Sequence, residues 1–132
     1  MHRLFTAIFF LFLLTAGASA QEHHSEAIAE LKELSKIDFA LSDIADILLT
    51  ESLYNRSEYA DAMKYGLKVY ESEAKIPDVA KGMVCDRIAR MYNNGRGVPV
   101  DKEAARMWWE RAEKFGNTNA QDAMLWIRSL KF

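Results

Sequence analysis

Two amphipathic helical segments joined by a glycine-rich turn, at residues 88–116, constrain the fold of this chain most strongly. Gly95 and Gly97 end the first segment, because glycine adopts a positive φ at low cost. Pro99 cannot continue that helix, and Asp101 is placed to cap the next one. Apolar or small residues recur at helical spacing on both sides of the turn: Cys85, Ile88 and Tyr92 before it, and Ala105, Trp108, Trp109 and Ala112 after it. The pattern predicts two antiparallel helices packed across a short loop.

Residues 25–53 also carry a helical period. Apolar residues predict a core-facing stripe, formed by Leu31, Leu34, Ile37, Leu41, Ile44 and Leu48. The outer face would then carry the acidic residues Asp38, Asp43, Asp46 and Glu51. Ser35 and Asp38 fit a capping box, so a break near Ser35 is the alternative to one continuous helix.

A weaker copy of the helical pattern precedes the main one by 43 residues. It places Tyr59, Ala62, Tyr65 and Val69 in the positions of Lys102, Ala105, Trp108 and Ala112. Gly66 stands where the later copy has Trp109, and it predicts a close contact between helices. After Gly116, Ala120 and Met124 match the start of a further copy, of which only one helix is present.

The first twenty residues have the pattern of a secretory signal peptide. Arg3 supplies the positive start, residues 4–14 are almost wholly apolar, and Ala18-Ser19-Ala20 fits the cleavage site. The apolar run is short for a membrane span. We therefore expect residues 1–20 to be removed, and the rest of the chain to be periplasmic or secreted with no membrane span.

The exported chain would begin Gln21-Glu22-His23. An amino terminus with histidine third can enclose Cu(II) or Ni(II) in four nitrogens, a geometry that these ions favour. The alternative is a disordered polar leader, and cyclisation of Gln21 would remove the amine ligand. The sequence leaves this question open and assigns no cofactor.

The segment at residues 88–116 resembles the Sel-one-like repeat, a relative of the tetratricopeptide repeat. The family pattern is roughly L-G-x-x-Y-x-x-G-x-G-V-x-x-D, followed by A-x-x-W-Y-x-x-A-A-x-x-G. The chain matches it at Tyr92, Gly95, Gly97, Val98, Asp101, Ala105, Trp108, Ala112 and Gly116. It departs from it at Ile88, Ala89, Trp109 and Glu113. So many matches at fixed spacing are more specific than a short motif.

The resemblance implies an all-α fold, a short α-solenoid of antiparallel helix pairs with five or six helices. A single domain over residues 21–132 would contain a degenerate repeat at about 37–74, a full repeat at about 78–116 and a closing helix at about 118–131.

The residue types present argue against an enzyme. No histidine follows His24, which removes Ser–His, Cys–His and histidine–metal chemistry from the predicted domain. The chain has no phosphate-binding loop and no zinc-protease motif. Pairs of carboxylates do occur, but 19 acidic residues on amphipathic helices produce such pairs by chance. We expect a protein without catalytic residues.

Cys85 is the single cysteine of the chain, so no internal disulfide can form. It shares a helical face with Ile88 and Tyr92, and we expect it to be buried as a small apolar side chain. A redox or intermolecular role is the alternative. Some exported members of the resembled family are stapled by cysteine pairs within each repeat, and this chain departs from that pattern.

Charge is divided unevenly along the chain. Residues 22–61 carry 10 acidic and 3 basic residues, whereas the residues from 62 onward carry 9 acidic and 13 basic ones. The formal net charge of −2 argues against nucleic acid as a partner. The division would either steer a bipolar protein partner or let the two ends of the predicted solenoid attract each other within the fold.

The resemblance implies a scaffold whose first helices line a concave surface that holds another protein. The candidate protein-binding residues are Asp86, Arg87, Arg90 and Asn94, which lie on the 78–94 helix. The motif requires arginine at neither position, so the fold gives no reason of its own for two cations, and we expect them to bind an acidic patch.

The expected function is therefore that of an exported, non-enzymatic adaptor or regulator. An immunity protein that neutralises an exported toxin is an alternative reading. A cell-envelope enzyme is a third reading, for which the sequence holds no motif.

Overall fold

Six α-helices make up the part of the chain that the structure, a computed structural model, describes: backbone 20–37 and 39–129, and side chains 24–33 and 42–129. They are α1 (Ala20–Ile37), α2 (Phe39–Asn55), α3 (Tyr59–Glu71), α4 (Asp78–Asn94), α5 (Lys102–Lys114) and α6 (Thr118–Ser129). The described residues contain no strand, and the prediction of an all-α fold is confirmed. The predicted signal peptide falls almost wholly outside the described residues. Residues 21–24 lie within α1 and not in an irregular leader.

Each helix packs against the next one along the chain, and α2 also contacts α4. At Gly66, α3 approaches both of these helices. A Cβ at this position would lie 3.3 Å from Cγ2 of Thr50 on α2 and 3.4 Å from Cδ1 of Ile88 on α4. The predicted close contact at Gly66 is confirmed, because any larger side chain would push these neighbours aside.

One continuous core runs between the packed helices and includes buried residues from all six. Its fully buried members include Leu31, Leu49, Leu53, Ala62, Val69, Val84, Ile88, Met91, Ala105, Ala112 and Ala120. The predicted stripe of α5 is buried throughout. In α6, by contrast, Leu125 and Trp126 are exposed. None of the helices described is long and apolar enough to cross a membrane.

The face predicted as buried on α2 is wrong. Ile44 is 44% exposed and Leu48 is only half-buried, whereas Ala45, Leu49 and Leu53 are fully buried. The prediction carried one apolar stripe through residues 31–48 as if they formed a single helix. Counted from the buried Leu31, five turns of about 3.6 residues reach position 49 and not 48, so the predicted stripe fell one residue short of the buried face of α2. The side chains of Leu34, Ile37 and Leu41 lie outside the described residues.

The turn between α4 and α5 has the structure that its sequence predicts. Gly95 adopts the left-handed conformation (φ 64°) and its N–H donates to the carbonyl oxygen of Met91. The Asp101 carboxylate accepts a hydrogen bond of 2.9 Å from the N–H of Ala104, which confirms the predicted cap. Gly97 also has a positive φ, and a Cβ there would lie 2.8 Å from Cβ of Tyr59 at the start of α3. This turn therefore packs against the preceding helix pair.

Candidate protein-binding surface

The four predicted binding residues lie on one side of α4, but at very different depths. Asp86 is fully buried, with 0% of its surface exposed. The side chains of Arg87 and Arg90 are 22% and 38% exposed, and Asn94 is exposed at the end of the helix. Asp86 therefore has a role inside the fold, whereas the other three reach the surface. We call Arg87, Arg90 and Asn94 the α4 surface.

Three donors surround the buried Asp86 carboxylate. The indole Nε1–H of Trp109, on α5, donates to Oδ1 at 3.0 Å. Arg90 Nε donates to Oδ2 at 2.8 Å, and Arg87 Nη1 lies 3.3 Å from the same oxygen. A buried carboxylate without such partners would cost several kcal/mol, so these bonds are a condition for its burial.

Arg87 also joins α4 to α2. Its Nε and Nη2 donate to the two carboxylate oxygens of Glu51, each at 2.9 Å, and its guanidinium lies 5.0 Å from the ring centroid of Tyr54. The hydrogen bonds from Arg87 hold the pKa of Glu51 below its usual value. The ion pair thus stabilises the fold at neutral pH and loses that effect as the pH falls through the pKa of Glu51. The expectation that the fold has no use for two arginines here is wrong.

Arg90, unlike Arg87, keeps two guanidinium nitrogens free of hydrogen bonds within the described part of the chain. Its Nε is held by Asp86, but its two terminal nitrogens donate no hydrogen bond within the described part of the chain. A guanidinium offers planar donors that match a carboxylate in two parallel bonds. Asp86 therefore fixes the orientation of the Arg90 guanidinium, and the terminal nitrogens are left to bind an acidic group of a partner.

The acidic face of α2 is turned partly into the fold. Asp46 is 1% exposed and forms an ion pair of 2.9 Å with Lys68 of α3. Together with Glu51–Arg87, this pair joins the acidic N-terminal half of the chain to the basic C-terminal half. Both pairs join helices that pack against each other, and neither joins the two ends of the array.

Sequence reasoning missed the contact between Trp109 and Asp86. The resemblance places Trp109 where the family has tyrosine, and the sequence predicts Asp86 at the binding surface. A signal was present, since Asp86 directly follows Cys85 and precedes Ile88 by two positions, and both of these residues are predicted to be buried. A buried tryptophan also requires an acceptor for its indole N–H.

Cys85 is fully buried, as predicted, and burial raises the pKa of its thiol to about 12.

We expect the folded protein to react very slowly with iodoacetamide at pH 8, and to react promptly in denaturing urea, where the pKa of Cys85 returns to about 8.5. Because the folded pKa is the higher one, the stability contributed by the neutral thiol is complete below about pH 8.5 and is lost as the pH rises toward 12. Unfolding free energies measured from pH 8 to 11 should fall less steeply for Cys85→Ala. Rapid alkylation of the folded protein would contradict this account.

Neither a metal centre nor a known relative identifies the function. The described side chains contain no group of three or more histidine, cysteine, aspartate or glutamate residues that could hold a metal ion. Comparison with protein-family models, curated proteins and solved structures found no match to this chain.

Proposed function

We propose that this protein is an exported, non-enzymatic protein-binding module that holds an acidic patch of a partner protein on its α4 surface. The observation that carries the proposal is the state of Arg90. Its side chain is 38% exposed and is anchored through Nε to a buried carboxylate, while its terminal nitrogens form no hydrogen bond among the described residues.

An anchored arginine is well suited to binding. Arginine is enriched among the residues that dominate the energy of interfaces. A free arginine loses side-chain entropy when a partner immobilises it, whereas Arg90 is already held by Asp86, so part of this cost falls on folding and not on binding. Arg87 adds little positive charge beside it, because Glu51 and Asp86 together balance the two guanidinium groups.

We propose further that the helices form a short α-solenoid of the Sel-one-like kind. Two features support this. The pairs α2–α3 and α4–α5 follow one another with α3 in contact with both α2 and α4. Gly97, a motif glycine, lies against the start of α3 and so has a packing role between successive pairs. In such an array α2, α4 and α6 would be the first helices of successive units.

The binding test uses Asn94, because reversing the charge of either arginine would also disturb Asp86. Asn94 is exposed, lies one turn from Arg90, and bonds only to Asn93 within the described part of the chain. After the partner is identified by pull-down from an envelope extract, Asn94→Glu should raise the Kd about tenfold or more, since like charges at an interface cost over 1.4 kcal/mol. Asn94→Lys should lower the Kd, and added salt should weaken binding by the parent.

Asn119→Glu, the same substitution at an exposed position on α6, is the matched control. All three variants should melt close to the parent, because surface substitutions rarely change stability by more than about 0.5 kcal/mol. Equal affinities for Asn94→Glu and Asn94→Lys would show that the partner does not contact the α4 surface.

A further inference from the structure

A second surface, with an excess of acidic residues, lies beside the N-terminal half of α2. It is a half-open groove of about 1050 Å³ between α2 and the connection of residues 72–77 that joins α3 to α4. The connection is held in place by Ser72, whose Oγ donates to Asp43 Oδ1 at 2.9 Å and accepts from the Ala74 N–H at 3.2 Å. The groove is therefore formed before any ligand arrives, which reduces the entropic cost of binding.

The groove presents apolar surface, part of which the described residues leave exposed, although Ile76 is itself buried. Ile44, Ile47 and Ile76 contribute to its lining, together with Ala74 and Pro77. Ile44 is 44% exposed, although it is of the type usually found in a core. A concave surface with apolar lining and a few polar groups is the usual form of a binding site, and this volume is at the upper end of the range for small-molecule pockets.

The rim of the groove is acidic. Four carboxylates line it, from Asp43, Asp46, Glu71 and Glu73, against two ammonium groups, from Lys68 and Lys75. Asp46 and Lys68 pair with each other. Glu71 and Glu73 are exposed and form no ion pair within the described part of the chain, so their charges are available to a ligand in the groove.

We infer that this groove binds a segment of a partner protein in which apolar side chains are flanked by lysine or arginine. The apolar side chains would cover Ile44 and Ile47, and the basic ones would meet Glu71 and Glu73. The same acidic rim repels phosphate groups, which argues against an anionic lipid or a nucleic acid as the occupant. This site is separate from the α4 surface and carries the opposite charge. The proposal for the groove and the proposal for the α4 surface can therefore be disproved independently.

The test is a fluorescence anisotropy titration of the protein, in the form that the cell produces, with a labelled peptide of leucine and lysine at helical spacing. A length of about 14 residues gives roughly four helical turns. A peptide with glutamate in place of every lysine is the charge control. We expect the lysine peptide to bind and the glutamate peptide not to bind.

Two variants assign the binding to the groove. Glu71→Lys with Glu73→Lys should weaken it about tenfold or more, whereas Glu103→Lys with Asp122→Lys makes the same change of net charge elsewhere and should leave it within about twofold. Ile44→Asn, which changes no charge, should also weaken it severalfold by removing apolar contact. If the two double variants lost affinity for the peptide equally, the peptide would be attracted by net charge alone, and the proposal would be overturned. So would binding of the glutamate peptide, or binding that Ile44→Asn leaves unchanged.

Discussion

Trp108→Ala is expected to lower the free energy of unfolding by about 3–5 kcal/mol, the usual cost of removing a buried tryptophan. Trp108 is 9% exposed and meets the ring of Tyr70 edge-on, with centroids 4.8 Å apart and planes at 74°. The guanidinium of Arg111 lies 4.3 Å from the centroid of the Trp108 ring and 5.3 Å from that of Tyr70. The substitution removes both contacts and leaves a cavity between α5 and α3. Urea denaturation followed by circular dichroism measures the loss.

Trp126→Ala is the matched control, because Trp126 is 56% exposed and its removal should cost less than about 1 kcal/mol. Tyr70→Ala should couple to Trp108→Ala in a double-mutant cycle, since edge-to-face aromatic pairs contribute about 0.5–1.5 kcal/mol beyond the area they bury. An unchanged stability of Trp108→Ala would show that the ring does not join the two helix pairs.

Arg87→Glu combined with Arg90→Glu is expected to destabilise the fold by about 3–5 kcal/mol or more, although both positions are partly exposed. The pair of substitutions leaves the Asp86 carboxylate buried without its two cations and adds negative charge beside it and beside Glu51. Breaking a buried ion pair on one side costs this much because the remaining charge stays uncompensated. Since small domains are stable by only about 5–15 kcal/mol, the variant should be largely unfolded at moderate temperature.

Arg106→Glu with Arg128→Glu makes the same change of net charge at exposed ion pairs, and it should cost about 1 kcal/mol or less. In an Asp86→Asn background the reversal of Arg87 and Arg90 should cost less than in the parent, because no buried charge is then left alone. If the double reversal melted like the parent protein, the network around Asp86 would contribute nothing to stability.

This second prediction also bears on function. On the basis of sequence, the same double reversal would have been a clean test of binding, with the fold unaffected. The bonds from both arginines to Asp86 show that lost binding in that variant would have two explanations. Asn94 lies outside the network, so its substitution separates binding from stability.

The sequence alone predicts those features of the fold that depend on residues near one another in the chain. The turn after α4 is such a case, since Gly95 and Gly97 adopt positive φ and Asp101 caps α5 through a bond to Ala104. The buried stripe of α5 and the burial of Cys85 are others, because a helical period of strong contrast fixes which side of a helix faces the core.

The tertiary structure decided what depends on residues far apart in the chain. Glu51 and Arg87 are 36 residues apart, and Asp86 and Trp109 are 23 apart, so no local pattern pairs them. The buried face of α2 was mispredicted because the apolar residues of the sequence follow spacings shorter on average than the roughly 3.6 residues of a helical turn, and only the packing of α2 against its neighbours shows which of them face the core. Charged residues on an amphipathic helix are ordinarily solvated. Only the positions of α2 and α5 beside α4 turn Asp86 into the buried anchor of Arg90.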